Sequence, residues 1–206
     1  YKNATANFSG PTGAPDTILT NSGDRDIFLA KYDSNGSFKW AKGIGGSGTD
    51  IGAAIDVSST YIALTGTFQG TVDFSPGFVP NNLTSSGSND GFLVKYLLDG
   101  TYGWGINLGS TVSNSYGGGT GVALDETNGK VYLTGVFKGT IDFDPNNSIP
   151  PNKSAVGFQD VFYSQYNLND GSCAWGNQIG SSFSATDSLC VSDIFVDPAG
   201  NTYLTG

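Results

Sequence analysis

The chain has 206 residues and 21.3 kDa, room for one or two ordinary domains, and its 31 glycines, 8 prolines and lone Glu among 18 acidic residues describe strands and tight turns rather than helices. No histidine and only 2 cysteines exclude a Ser-His-Asp triad, a Cys-His dyad, a His-ligated metal and a structural zinc site. A net charge of −9 has the wrong sign for nucleic acid, and no apolar run reaches the length of a membrane span.

In chain order, residues 1–45 read as three strands of a four-strand unit whose members are called a to d. Tyr1, Thr5, Phe8 and Gly10 share the spacing of Tyr61, Thr65, Phe68 and Gly70, which predicts a strand b at the start. Strand c follows at 26–32, with Phe28, Ala30 and Tyr32 on one face and Ile27, Leu29 and Lys31 on the other. Asp33-Ser34-Asn35-Gly36 turns the chain into strand d, which carries Trp40. Residues 46–109 form a whole unit: a near 52–57, b from about 61 to 74, c at 90–96, and d around Trp104. Residues 110–180 repeat it, with a at 121–125, b at 131–143, c at 160–166 and d around Trp175. Residues 181–206 supply a at 193–197 and the beginning of b. Asp99-Gly100, Asn128-Gly129, Asn169-Asp170-Gly171 and Pro198-Ala199-Gly200 provide the positive φ that hairpin turns need.

The repetition is dense. Leu64-Thr65-Gly66, Leu133-Thr134-Gly135 and Leu204-Thr205-Gly206 recur at intervals of 69 and 71. Phe68-Gln69-Gly70-Thr71-Val72-Asp73-Phe74 matches Phe137-Lys138-Gly139-Thr140-Ile141-Asp142-Phe143. Each Trp is followed four residues later by Ile44-Gly45, Leu108-Gly109 or Ile179-Gly180. Four short antiparallel strands per unit, in about three repeats of 60–71 residues, predict an all-β chain of β-propeller blades belonging to a larger propeller. The repeated Phe, Tyr and Trp are expected to pack between neighbouring blades, though ligand platforms are the other reading.

Asp26-Ile27-Phe28-Leu29-Ala30-Lys31-Tyr32-Asp33-Ser34-Asn35-Gly36, Trp40-Ala41-Lys42-Gly43-Ile44-Gly45-Gly46 and Tyr203-Leu204-Thr205-Gly206 resemble the bacterial seven-bladed β-propeller repeat family, often called SBBP repeats. Val72-Asp73-Phe74-Ser75-Pro76 and Ile141-Asp142-Phe143-Asp144-Pro145 look like a longer variant of that repeat. The third unit departs from it at Ser164-Gln165 and Cys173. The resemblance implies a secreted or surface-attached bacterial protein. Bacteroidota members often carry a C-terminal type 9 secretion signal, which these residues do not include. It implies no common catalytic activity. The absence of Met predicts a processed or partial product, and few Cys with many Asn, Ser and Thr fit secretion.

Asp73, Asp142 and Asp144 lie where strand b enters the b–c connection, and Asp26, Asp90 and Asp160 begin strand c, so the chain returns them to one end of the blade. Carboxylates meeting there suit Ca²⁺, which takes about six to eight oxygens. Asp73, Asp90, Asp142, Asp144 and Asp160 are the candidate ligands, and Ca²⁺ is the only cofactor suggested. No calcium-loop motif supports them, and the competing reading is that each Asp caps turn N–H groups. Paired carboxylates also suit glycoside hydrolysis, but a catalytic pair should break the repeat symmetry that these obey. Sialidase-type propellers clamp substrate with several arginines, whereas this chain has only Arg25, and Glu126 falls in a tight-turn region. Gly45-Gly46-Ser47-Gly48 and Gly117-Gly118-Gly119 open strands, without the helix or Lys of a phosphate cradle. Asp16-Thr17-Ile18 and Asp187-Ser188-Leu189 resemble the Bacteroidota O-glycosylation motif, as chance allows in such a composition. Cys173 and Cys190 are expected near opposite rims, too far apart to bond.

The a–b and c–d turns share one rim and are short. The b–c connections (11–22, 75–86, 144–156) and d–a connections (46–50, 110–116, 181–189) share the other and are long. Phe78, Tyr116, Phe158 and Phe183 break the repeat there and are the candidate contacts for a ligand or partner, unless they tuck back to pin their own loops. Two functions stay open. One is a non-catalytic secreted or cell-surface scaffold, adhesin-like, that binds glycan or protein. The other is the propeller segment of a secreted, glycoside-active hydrolase, with catalysis here or in an attached domain. The expected partners are protein or glycan, and further blades of the same polypeptide or of a partner chain; nucleic acid is not among them.

Overall fold

The computed structural model describes residues 2, 5–8, 17–86, 88–109, 116–145, 152–180 and 189–206, and the Tyr116 side chain lies outside that description. The strands are β1 (Thr5–Asn7), β2 (Ile18–Thr20), β3 (Ile27–Tyr32) and β4 (Phe38–Ile44). Next come β5 (Ile51–Val57), β6 (Tyr61–Phe68), β7 (Thr71–Asp73), β8 (Asn82–Thr84), β9 (Asp90–Leu97) and β10 (Tyr102–Leu108). They are followed by β11 (Tyr116–Asp125), β12 (Lys130–Lys138), β13 (Thr140–Ile141), β14 (Lys153–Ser154), β15 (Asp160–Asn167), β16 (Cys173–Ile179), β17 (Asp193–Val196) and β18 (Thr202–Thr205). No helix occurs among the described residues.

β5-β6-β9-β10 and β11-β12-β15-β16 are complete four-stranded antiparallel blades. They stand between two half-blades, β3–β4 on the leading side and β17–β18 on the trailing side. The chain is thus an all-β repeat protein built of propeller blades, arranged as an open arc. Its core lies between blades rather than inside them. Ile27, Leu29 and Ile44 of the first half-blade pack with Phe68, Phe92, Val94 and Tyr96 of the second unit. Ala63, Leu93, Ile106 and Leu108 of that unit pack with Val122, Phe137, Phe162 and Tyr166 of the third. The alternation read from the sequence sets this up: one face of every strand looks forward along the arc and the other looks back.

The repeated Trp and its neighbours hold the blades together. A methyl on Gly100 would run into the Lys42 stem and touch Trp40, and one on Gly171 would press on Trp104, so the Trp40 and Trp104 indoles sit on the c–d turn of the following blade. Lys31 Nζ donates to Leu98 O at 3.1 Å, and Lys95 Nζ to Leu168 O at 2.7 Å, each reaching one blade ahead. These side chains therefore pack between blades. At the short-turn end, the Leu168 N–H meets Gly129 O, and Gly36, Gly100, Gly129, Gly171 and Gly200 all take positive φ. The other end joins the b–c and d–a connections, through Asp24 N to Gly48 O and Asp50 N to Arg25 O.

Two expectations about strand b need correction. First, it does not run on to Phe74 or Phe143. It stops at Phe68 and Lys138, because Gly70 and Gly139 reverse the chain at φ 68°. The next residues form separate hairpins, β7–β8 and β13–β14. Second, Thr5–Asn7 does not take the register of Thr65–Thr67. β1 pairs with β2 as β7 pairs with β8. The Phe8 ring lies 4.9 Å from Phe28 as Phe74 lies 4.9 Å from Phe92. Tyr32 Oη donates to Phe8 O and Tyr96 Oη to Phe74 O, both at 2.9 Å. Phe8 is thus the counterpart of Phe74, not of Phe68.

Candidate functional site

The carboxylates at the head of strand c are occupied by loop backbone. Asp90 Oδ2 accepts from Ser86 N at 2.8 Å and from Asn107 Nδ2 at 3.1 Å. Asp160 Oδ2 accepts from Val156 N at 2.9 Å and from Gln178 Nε2 at 3.2 Å. Asp26 takes Ser22 N in the same way. A methyl on Gly45, Gly109 or Gly180 would run into Asp26, Asp90 or Asp160, which explains the glycine that closes each strand d. Asp73 Oδ1 accepts from Ser75 N and Asn81 N, and Asp142 Oδ1 from Asp144 N. Asp144 is itself buried. Four of the five candidate ligands, Asp73, Asp90, Asp142 and Asp160, thus hold turns in place, one blade at a time, and among the described residues no group of three or more acidic or thiol side chains gathers around a point. Asp50, which the sequence did not single out, joins the two long connections by accepting from Gly46 N and Gln69 N, and burial raises its pKa.

The four candidate aromatics separate. Phe183 and the Tyr116 side chain lie outside the described residues. Phe158 is half exposed on the long-loop rim, with Lys138 Nζ 3.7 Å from its ring centroid, beside exposed Val156. Phe78 is not on that rim. The β7–β8 hairpin folds back down the blade because Phe74 buries against Phe68 and Phe92 and Tyr96 Oη catches its carbonyl. The hairpin tip therefore lies against strand d of the preceding unit, where Lys42 Nζ sits 4.7 Å from the Phe78 ring. A cleft of about 520 Å³ opens beside this tip, bounded by Leu19, Trp40, Lys42, Pro76, Gly77 and Asp99. Burial pulls the Lys42 pKa down, while Asp99 opposes the shift. Phe78 and Val79 stay exposed at its edge. Trp40 read as packing and Lys42 had no signal of its own, because only the hairpin fold brings 76–79 to strand d.

The remaining reactive groups belong to blade contacts. Glu126 Oε2 accepts from Ser59 N at 3.0 Å and Ser59 Oγ at 2.8 Å, tying the a–b turns of two blades. Asp56 Oδ2 accepts from Leu124 N across the same seam. Cys173 opens β16 opposite Tyr166, and burial, helped by Asp144, pushes its thiol up to about 12. Cys190 lies beside the end of β18, and both thiols are free.

No family model matches the chain. It is 28% identical over 167 residues to an uncharacterised WD repeat-containing protein of Acanthamoeba polyphaga mimivirus, covering 72% of the chain and 11% of that protein. It is 26% identical over 129 residues to the regulatory protein FlaEY of Caulobacter vibrioides, covering 60% of the chain and 13% of that protein. The chain spans about one eighth of the length of these relatives. The WD-repeat likeness agrees with a repeat scaffold of propeller blades. No helix among the described residues is long and apolar enough to cross a membrane.

Proposed function

We propose that the chain is a non-catalytic binding scaffold, a segment of a secreted or cell-surface propeller of the SBBP-repeat kind, that holds glycan or protein on its outer wall and long-loop rim. The observation that carries the reading is the cleft beside the β7–β8 hairpin. It presents an indole, an amine and a carboxylate from Trp40, Lys42 and Asp99, with exposed Phe78 at its edge. An aromatic ring beside hydrogen-bonding charges suits a sugar ring or an extended peptide. Asp73, Asp90 and Asp160, the carboxylates that the sequence offers for hydrolysis, are engaged with turn N–H groups instead.

The test is a glycan array and a panel of immobilised bacterial-surface and host matrix proteins, probed with wild type, Phe78→Ala, Lys42→Ala and Phe158→Ala. Binding should fall about tenfold or more in a variant at the contact, in line with loss of an aromatic anchor, while thermal stability stays nearly unchanged. Binding that is lost only on changing the opposite rim at Asp33, or turnover of a bound glycan, overturns the assignment.

A further inference from the structure

Strand d lies at the edge of both complete blades, and β4 is strand d of the first unit. Its outer edge carries backbone groups that pair with nothing among the described residues. The c–d turn fixes which groups these are. Asp33 N donates to Ser37 O, so Lys31, Leu29 and Ile27, at two-residue steps from Asp33, also turn their backbone groups toward β4. Trp40, Lys42 and Ile44 lie opposite them and return those bonds. The N–H and C=O of Ala41 and Gly43, opposite Ala30 and Phe28, therefore point outward.

This edge is the floor of the cleft beside the β7–β8 hairpin, and a hairpin forms each wall. Lys42 reaches the Phe78 ring, so the tip at Pro76 and Gly77 stands on the Trp40 and Lys42 face of the strand. A methyl on Gly105 would lie 3.6 Å from Leu83, and Ala41 and Leu19 hold those two repeat positions, so β2 stands on the other face. In the other units the long-loop end of the edge is plugged. Asn107 Nδ2 donates to Thr84 O at 2.8 Å, and Gln178 Nε2 donates to Ser154 O at 3.1 Å. Gly43 holds the same position with no side chain, opposite Phe28 as Asn107 is opposite Phe92, and it lines the cleft together with Thr20, the counterpart of Thr84. One departure from the repeat thus opens the slot in the first unit.

We infer, resting on the binding role proposed for this cleft, that its occupant is an extended segment of a partner protein, which adds to β4 as a further strand and sets an acidic side chain on Lys42. An added strand lies about 4.8 Å from its neighbour and sends its side chains alternately to the two walls. One wall offers Lys42 and exposed Phe78, the other Leu19 and exposed Ile18. The Lys42 ammonium calls for a carboxylate. Among the described residues it makes no ion pair or hydrogen bond, whereas Lys31 is held by Leu98 O and Lys39 by Asp33. A sugar ring would stack on Trp40, but it carries no run of donors and acceptors at the two-residue spacing of Ala41 and Gly43; a peptide backbone does.

The test is an array of heptapeptides probed with the 206-residue chain. Odd positions vary among Val, Ile, Leu and Phe, the second and sixth are Thr, and the central residue is Glu, Lys or Thr. Glu peptides should bind about tenfold more tightly than their Lys counterparts, and the best of them should slow hydrogen exchange at the Ala41 and Gly43 amides. Lys42→Glu should reverse the charge preference. Gly43→Asn, which installs the residue of the second unit, should abolish peptide binding while circular dichroism and the melting temperature stay unchanged. Equal binding of Glu and Lys peptides, binding that survives Gly43→Asn, or exchange protection that misses Ala41 and Gly43 overturns the inference. A glycan that binds in a Phe78-dependent way when no peptide does also overturns it, and leaves the scaffold reading standing. Binding of neither class refutes both.

Discussion

Phe92 and Phe28 occupy one repeat position in two environments, and alanine at each should separate the value of a blade neighbour from that of the residue itself. Phe92 is fully buried, with ring centroids of Phe74 at 4.9 Å and Phe68 at 6.3 Å. Removing such a side chain from a packed core costs about 3–5 kcal/mol. Phe28 keeps one ring partner, Phe8 at 4.9 Å, and leaves half its surface in water. Half of the roughly 1.5–3 kcal/mol of full aromatic burial is about 1 kcal/mol. With a urea dependence of about 3 kcal/mol per molar, the midpoint should fall by about 1–2 M for Phe92→Ala and about 0.3 M for Phe28→Ala. Tryptophan fluorescence reads this, since Trp40 and Trp104 sit at blade seams. Equal shifts for the two variants would refute the claim that the core lies between blades.

Glu126 should give acid sensitivity. Hydroxyl hydrogen bonds from Thr60, Ser58 and Ser59 hold its pKa at about 2 instead of 4.5. A lowered folded pKa means stability that is present above the unfolded value and is lost as pH falls from about 4.5 through about 2. Glu126→Gln should flatten part of the urea midpoint against pH in that window, while Asp33, held at about 2 by its bond from Lys39, keeps its own share. Gly109→Ala should destabilise by about 3 kcal/mol by overpacking, because the methyl meets the buried Asp90 carboxylate. Gly36→Ala, at φ 77° in open space, should cost only about 1 kcal/mol of backbone strain, and paired urea melts would rank the two.

The blade plan was legible because it is written three times. The alternation of Asp26–Tyr32, the Gly turns and the Trp spacing each named a strand, and pairing placed them as expected. The first strand was misregistered for a physical reason. Thr65-Gly66-Thr67-Phe68 and Thr71-Val72-Asp73-Phe74 share a Thr-x-x-Phe frame, so Thr5-Ala6-Asn7-Phe8 matches both. Asn7 at the place of Asp73 was the discriminating signal, since a short polar side chain there can serve the hairpin turn. Phe78 was misplaced because nothing local says that its hairpin folds back. That turn is decided by Gly70 at positive φ and by the distant Tyr96 hydroxyl. The Lys42 contact inherits the same long-range cause.

Repetition and site formation divide the side chains between them. A residue that recurs once per blade is committed to its neighbour: Lys31 and Lys95 to the carbonyl one blade ahead, Trp40 and Trp104 to the next turn, Asp90 and Asp160 to their own loops. The seam that departs from this pattern is the trailing one, where Gln165 stands at the place of Lys95, Cys173 at that of Tyr102, and Phe195 and Tyr203 are exposed. The proposed binding surface is then drawn from what the repeat leaves open: the hairpin tip with Phe78 and Val79, the Lys42 amine and the free face of Trp40 in the cleft beside it, and the rim around Phe158.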